Sequence, residues 1–162
     1  MRPMSPVQLA FAICVGGIVL ASSVPTFLRN LHGSRFVEAT DGIAQIAENA
    51  VAYSQDKELA QAFPPSAPLT PAEVPHGVAV TDPPGTWDHP TWKALGFSQE
   101  HAHRFSFAFD SANDPSRFWF TARAHGDLNG DGITSSFELT GERRPGQPAV
   151  VLPEMYVHRE VE

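Results

Sequence analysis

An uninterrupted apolar stretch near the start of the chain constrains its fold more than any other feature. Residues 7–24 read VQLAFAICVGGIVLASSV, in which only Gln8 is strongly polar. About 18 residues at a rise of roughly 1.5 Å each make about 27 Å of helix, close to the thickness of a bilayer core. A core helix of a soluble protein is usually apolar on one face, whereas this stretch is apolar all round. It therefore predicts a membrane segment.

A retained anchor is favoured over a cleaved secretory signal, although Ala21-Ser22-Ser23 could serve as a cleavage site. The helical pattern resumes after Pro25 without a linker, and a proline can kink a helix without ending it. A cleaved signal has no reason to continue into an amphipathic helix. We therefore expect one long helix from about residue 6 to residue 57. Its apolar positions beyond the stretch are Phe36, Ile43, Ile46, Ala50 and Tyr53.

The rest of the chain is acidic. The protein has 11 basic and 18 acidic side chains, a net charge of −7, and only Arg2 and Arg29 fall within residues 1–30. A nucleic-acid partner normally requires a basic face, so we expect none. The single cysteine, Cys14, excludes an intramolecular disulfide and a multi-cysteine zinc site.

Prolines crowd residues 63–90, where they exclude regular helix and central strand. A disordered linker is one interpretation of such composition. The large apolar side chains that follow, Trp87, Trp92, Leu95 and Phe97, need burial. We therefore expect residues 63–97 to form an extended loop whose end docks on the long helix.

Beyond residue 104 the apolar period changes to two, which is typical of strands covered on one face. Residues 105–109 and 118–124 alternate in this way around a turn at 113–116, and 135–140 and 150–157 form two further extended runs. The predicted fold class is α+β, with the long helix packed on an antiparallel sheet of about four strands. Residues 1–30 would form the membrane segment and 31–162 a globular domain, comprising a helix over 31–58, the loop over 63–97 and the sheet over 104–162.

The sharpest local motif is DLNGDGITSSFE at residues 127–138. It matches the calcium-loop pattern, with glycine at the sixth position to permit a sharp turn. The expected oxygen donors are the side chains of Asp127, Asn129 and Asp131, the carbonyl of Ile133, a water held by Ser135, and both oxygens of Glu138.

An alternative interpretation of this motif is a hairpin turn, since Asn-Gly and Asp-Gly are common turn dipeptides. The flanking strand and the helix-breaking Gly141 and Pro145 also differ from an EF-hand. If calcium binds, we expect weak affinity, with a Kd of about 10⁻⁴ to 10⁻³ M.

The seven histidines form no zinc spacing and are interpreted as surface or loop residues. Nucleophile-elbow, H-E-x-x-H and phosphate-loop motifs are all lacking from the sequence. We therefore expect no enzymatic activity.

The N-terminal pattern is similar to a known family. Val24-Pro25-Thr26-Phe27-Leu28 follows the apolar stretch, and then come Ser34-Arg35, Glu38-Ala39 and the helical positions named above. Residues 4–55 resemble the N-terminal helix of type IV pilins and type II secretion pseudopilins. The resemblance implies a structural subunit in the bacterial inner membrane with a periplasmic domain, which later enters an extracellular filament. Its partners would be identical or related pilin subunits, contacted through this helix.

The resemblance also assigns positions for processing and assembly. Met4 falls at the first mature residue, which places Pro3 where the family has glycine, and Gln8 replaces the usual glutamate at the fifth mature position. Gly16 and Gly17 would let neighbouring helices approach closely. Because Pro3 and Gln8 depart from the family, an uncleaved, membrane-anchored periplasmic calcium-binding module that never polymerises is the alternative. A secreted protein cleaved near Ser23 is a third.

Overall fold

A five-stranded antiparallel sheet is the largest structural unit of the described chain. The computed structural model describes residues 36–115 and 117–159. Helix α1 covers residues 36–55, and a short 3-10 helix follows at Leu59–Gln61. The strands lie side by side in chain order. They are β1 (Ala67–Thr70), β2 (Phe105–Asp114), β3 (Arg117–Gly126), β4 (Ser135–Arg143) and β5 (Val150–His158), and helix α2 (Pro90–Leu95) lies between β1 and β2.

Alternation of side chains gives the sheet one apolar face. Phe107 pairs with Ala124 and Phe109 with Ala122, so large rings alternate with small side chains across β2 and β3. All four are buried, and the rings continue across the face into Phe120 of β3, which stacks on Phe109. We call this surface the inner face. It is the hydrophobic core of the described chain.

Helix α1 covers the inner face. Its buried positions recur at helical spacing and are at most 1% exposed: Ala39, Ile43, Ile46, Ala47 and Ala50. Gly42 lies directly over the ring of Phe107, where an added Cβ would come within 2.4 Å of the ring. The backbone of α1 therefore approaches the sheet more closely than any side chain at position 42 would allow.

The predicted fold class is wrong. No long N-terminal helix is visible in the described chain, in which α1 covers only residues 36–55, and the sheet has five strands instead of about four. The additional strand is β1, which lies in the segment predicted to be a loop. Prolines do exclude a central strand, but β1 is an edge strand, where Pro68 is tolerated.

The predicted loop also contains α2. Proline is well suited to the first turn of a helix, and Pro90 lies there. The ring of His89 caps this end by accepting the backbone N–H of Thr91, and Gly96 ends the helix in the left-handed conformation. Trp92 is completely buried, as its size requires, and its indole N–H donates to Thr70 Oγ1 at 2.9 Å.

Candidate functional site

The predicted calcium loop begins immediately after β3, and its first carboxylate is buried. Asp127 follows the last residue of the strand, and its side chain is 0% exposed. Its Oδ1 accepts the backbone N–H of Gly130 at 2.6 Å, and its Oδ2 accepts that of Gly132 at 2.9 Å. A third partner is His76, whose ring Nδ1 lies 2.8 Å from Oδ2. The carboxylate therefore organises the loop from within.

These donors hold the pKa of Asp127 below its ordinary value of 3.8. The hydrogen bond from His76 is the largest cause, the N–H groups of Gly132 and Gly130 act in the same direction, and burial opposes them. Because the carboxylate is ionised at neutral pH, it only accepts, so Nδ1 of His76 must carry the shared proton. His76 thus provides a donor where the calcium pattern would place a cation.

In the middle of the loop, side-chain oxygens accept hydrogen bonds from backbone N–H groups of the same loop. Asn129 Oδ1 accepts the N–H of Asp131 at 2.9 Å, and Asp131 Oδ1 accepts that of Ile133 at 2.7 Å, which is the geometry of Asx turns. Ser135 is buried, and its hydroxyl donates to the carbonyl of Gly126 at 3.0 Å. The hydroxyl that was predicted to hold a water is therefore already bonded to the protein.

Glu138, the predicted bidentate ligand, lies in β4 and faces another strand. Its cross-strand partner is Arg123 of β3, whose Nε lies 3.1 Å from Oε1 of Glu138 without being aligned for a hydrogen bond. Arg123 also pairs with the carboxylate of Asp110 in β2. Asp127 lies four residues further along the chain than Arg123, roughly 13 Å at the rise of a strand. The structure brings the first three predicted ligands together and leaves Glu138 outside the loop.

Binding of calcium by this loop stays a prediction. Within residues 36–115 and 117–159, no group of three or more His, Cys, Asp or Glu side chains is arranged to hold a metal ion. Calcium also accepts amide, hydroxyl and carbonyl oxygens, which the loop does contain.

The predicted assembly positions Met4, Gln8, Gly16, Gly17 and Pro25 all lie outside the described residues. In the described part of the chain, no helix is both long enough and apolar enough to cross a membrane. The predicted membrane segment, residues 7–24, also lies outside the described residues.

No protein-family model, curated protein or solved structure matches this chain. The resemblance to pilins, the domain boundary at residue 30 and the absence of enzymatic activity therefore stay predictions.

Sequence reasoning missed the part that His76 plays in the loop. The two residues of the pair are 51 positions apart, and no spacing pattern connects them. The backbone reinforces the contact, since the N–H of Gly77 donates to the carbonyl of Asp127 at 2.7 Å. Gly77 also packs against Gly130, where an added Cβ would lie 3.4 Å from the neighbouring backbone. The two loops are thus joined along their main chains as well as through the side-chain pair.

A second buried cluster was also missed, because the histidines were expected in loops or on the surface. His103 is 1% exposed, and its Nε2 lies 2.9 Å from Oδ2 of Asp82. Its Nδ1 lies 2.8 Å from the carbonyl of Phe105, and the indole N–H of Trp87 donates to the same Asp82 oxygen at 2.7 Å. Every polar atom named here has a partner, so the cluster has the character of a structural tie.

Proposed function

We propose that the protein is a structural subunit of a type IV pilus or a type II secretion pseudopilus, held through its N-terminal segment. The observation that carries this proposal is the way in which α1 is fixed to the rest of the fold at its first described turn, in its middle and at its C-terminal end. A subunit that is held by one end must transmit force from that end to the rest of its body. The contacts of α1 provide such a path.

The first attachment is near the start of α1. Glu38 Oε1 accepts the backbone N–H of Arg104 at 2.6 Å and that of Phe105 at 3.1 Å. Hydrogen bonds to a charged acceptor are roughly twice as strong as neutral ones. This carboxylate therefore joins the first described turn of α1 to the start of β2.

The second attachment is in the middle of the helix. Gly42 lets α1 lie against the ring of Phe107, as described above. About two turns later, the side-chain amide of Asn49 donates to the carbonyl of Leu95 at 2.8 Å. The middle of α1 thus contacts both the sheet and the end of α2.

The third attachment closes the end of α1. One terminal nitrogen of Arg143 donates to the carbonyls of Ser54 and Lys57, at 2.6 and 2.8 Å, and lies 3.1 Å from the hydroxyl of Ser54. The last carbonyls of a helix lack partners within it and carry partial negative charge, so a guanidinium there is favourable. Arg143 ends β4, and the end of α1 is thereby tied to a central part of the sheet.

Together these attachments favour a body that moves with its helix when the helix is pulled. The acidic composition is consistent with an exposed filament surface. The resemblance of residues 4–55 to the pilin N-terminal helix favours a filament subunit over a simple anchor. A simple anchor would place no comparable load on α1.

Mass analysis of the N-terminus tests the proposal. Membranes and sheared surface filaments are prepared from cells that express the full chain, and the N-terminal peptide is identified in each. We expect the filament fraction to contain a chain that starts at Met4 with a methylated amine. An intact Met1 terminus found only in membranes would contradict the proposal and favour the anchored calcium-binding module. Recovery from the medium without residues 1–23 would favour the secreted protein.

A matched pair of variants tests the force path. Glu38→Ala removes the first attachment, whereas Glu48→Ala removes an exposed carboxylate from the same helix. We expect Glu38→Ala to reduce the yield of sheared filaments relative to the amount in membranes, and Glu48→Ala to leave that ratio unchanged. Equal ratios for the two variants would contradict a role of this attachment in assembly.

A further inference from the structure

Exposed apolar side chains are concentrated on β5. In the described chain, seven large apolar side chains are exposed, and four of them belong to this one strand. They are Val150, Met155, Tyr156 and Val157, and Tyr156 is the most exposed at 58%. Such concentration at one place is typical of a surface that contacts another molecule.

The two edges of the sheet differ in whether they can accept another strand. β1 forms one edge, and prolines lie within and around it at positions 64, 65, 68 and 71. A proline cannot donate to a ladder, so this edge is protected against pairing. β5 forms the other edge and contains only Pro153. The open edge of the sheet is therefore β5.

The regular part of this open edge is short. Between the pairs Leu139–Met155 and Gly141–Val151, β5 has three residues opposite one residue of β4, which is a bulge at 152–154. Beyond the bulge, 155–158 pair with β4 residue by residue. A cavity of about 610 Å³ opens beside the bulge, lined by Arg117 and Thr140 together with residues 152–156.

We propose that β5 pairs antiparallel with β5 of a second copy of this chain, about a two-fold axis at Tyr156. In this register Tyr156 faces its own counterpart, Met155 faces Val157, and Glu154 faces His158. Apolar side chains therefore meet apolar ones, and a carboxylate meets an imidazole donor on each side of the axis. The register is self-complementary, as a two-fold contact requires.

Pairing of β5 with β5 of a second copy is favoured over a repeating arrangement in which β5 of one copy pairs with β1 of the next. A repeating contact of β5 with β1 would need an open β1 edge, which the prolines prevent. Of the two sheet edges in the described part of a second copy, β5 is then the one that can accept β5. A two-fold contact closes on itself after two copies, whereas a filament grows through a contact that repeats, so the two contacts differ. This inference is therefore independent of the proposed function, and either can fail alone.

Cysteine cross-linking of the full chain in membranes tests the pairing. Tyr156→Cys is introduced into a Cys14→Ser background, which removes the only native cysteine. Residues facing each other across antiparallel strands have Cα atoms about 4.5–5.5 Å apart, within disulfide reach. We expect a disulfide-linked dimer to form roughly tenfold faster than in the control Val78→Cys, whose position is 63% exposed but lies outside β5. Equal rates at the two positions would overturn the proposal.

A charge exchange tests the register independently of any effect on folding. In the Tyr156→Cys background, Glu154→Lys places two cationic or donor groups opposite each other, and His158→Glu places two carboxylates there. We expect each single change to lower the cross-linking rate several-fold and the combination of both to restore it. If the combined variant stays as slow as the single ones, the two-fold register at Tyr156 is wrong.

Discussion

Two histidine–aspartate pairs of nearly equal length lie in very different surroundings. His76 and Asp127 are 2.8 Å apart, with side-chain exposures of 64% and 0%. His103 and Asp82 are 2.9 Å apart, with exposures of 1% and 7%. In the first pair only the acid is buried, while in the second both partners are. The same contact should therefore contribute differently to stability, since water screens the first histidine and not the second.

His103 and Asp82, which we call the interior pair, hold a long loop against the sheet. Both ring nitrogens of His103 face acceptors, namely Asp82 and the carbonyl of Phe105. The backbone of His103 also exchanges two hydrogen bonds of 2.9 Å with Val80. Trp87 packs over this cluster, with its ring centroid 6.3 Å from that of His103. The segment from Val80 to Trp87 thus depends on one buried carboxylate.

Removing that carboxylate should have the largest effect. We expect Asp82→Ala to lower the free energy of unfolding by about 3 kcal/mol, because it leaves the buried imidazole of His103 and the half-buried indole N–H of Trp87 without their acceptor. Chemical denaturation of the full chain measures the change. Asp88→Ala is the control, since Asp88 forms an exposed pair with Lys93 and should contribute less than about 0.5 kcal/mol. Similar losses for the two variants would show that the interior pair is no stronger than a surface one.

His76 and Asp127, which we call the loop pair, should contribute unequally to the free energy of unfolding. Asp127→Ala leaves the N–H groups of Gly130 and Gly132 without their acceptor, so we expect a loss of about 2 kcal/mol. His76→Ala removes a ring that is mostly in water, and we expect a loss of no more than about 1 kcal/mol. Chemical denaturation again measures both. A His76→Ala loss as large as that of Asp127→Ala would place the loop pair in the same class as the interior pair.

The two pairs also mark the limits of what the sequence could predict. Period-two alternation predicted the runs 105–109 and 118–124, which lie within β2 and β3, because half-buried strands impose that pattern on adjacent residues. The two further extended runs, 135–140 and 150–157, lie within β4 and β5. β1 was missed, because a short edge strand with a proline has no such alternation. The fold class failed on the helix, which covers residues 36–55 of the described chain, and on the number of strands.

The candidate site was predictable only where it is local. The spacing of Asp127, Asn129 and Asp131 placed them in one loop, which the structure also does. The same spacing put Glu138 with them, but Arg123 on the neighbouring strand competes for that carboxylate. Contacts between distant segments, such as that of His76 with Asp127, leave no mark on a single sequence.

Calcium should distinguish the loop pair from the interior pair, because the loop pair alone includes a residue of the calcium-loop motif at 127–138. If the loop binds calcium weakly, an excess of ten times the Kd would stabilise the fold by about 1.4 kcal/mol. We expect the resulting rise in Tm to be abolished by Asp131→Asn and unaffected by Glu138→Gln, since Glu138 faces Arg123. An unchanged Tm on calcium titration of the unaltered chain would show that the loop is only a turn.

A third histidine, His125, has a hydroxyl partner instead of a carboxylate partner. It should have the smallest effect on stability, and its effect should be to destabilise the fold as the pH falls. The Nδ1 of His125 lies 2.8 Å from the hydroxyl of Ser136. Burial lowers the pKa of this imidazole below 6.5, and the nearby charge of Arg123 lowers it further, while Glu138 partly opposes the shift. The unfolded chain therefore takes up a proton at this residue before the folded chain does. As pH falls from 7 through 6.5, the fold should lose stability, by less than about 1 kcal/mol because the ring is partly in water. Denaturation at pH 7.5 and 5.5 measures the loss, and His125→Gln should make it smaller. If His125→Gln leaves the loss of stability between pH 7.5 and 5.5 unchanged, that loss comes from other titratable groups. His125 would then not differ from the two paired histidines in its effect on acid stability.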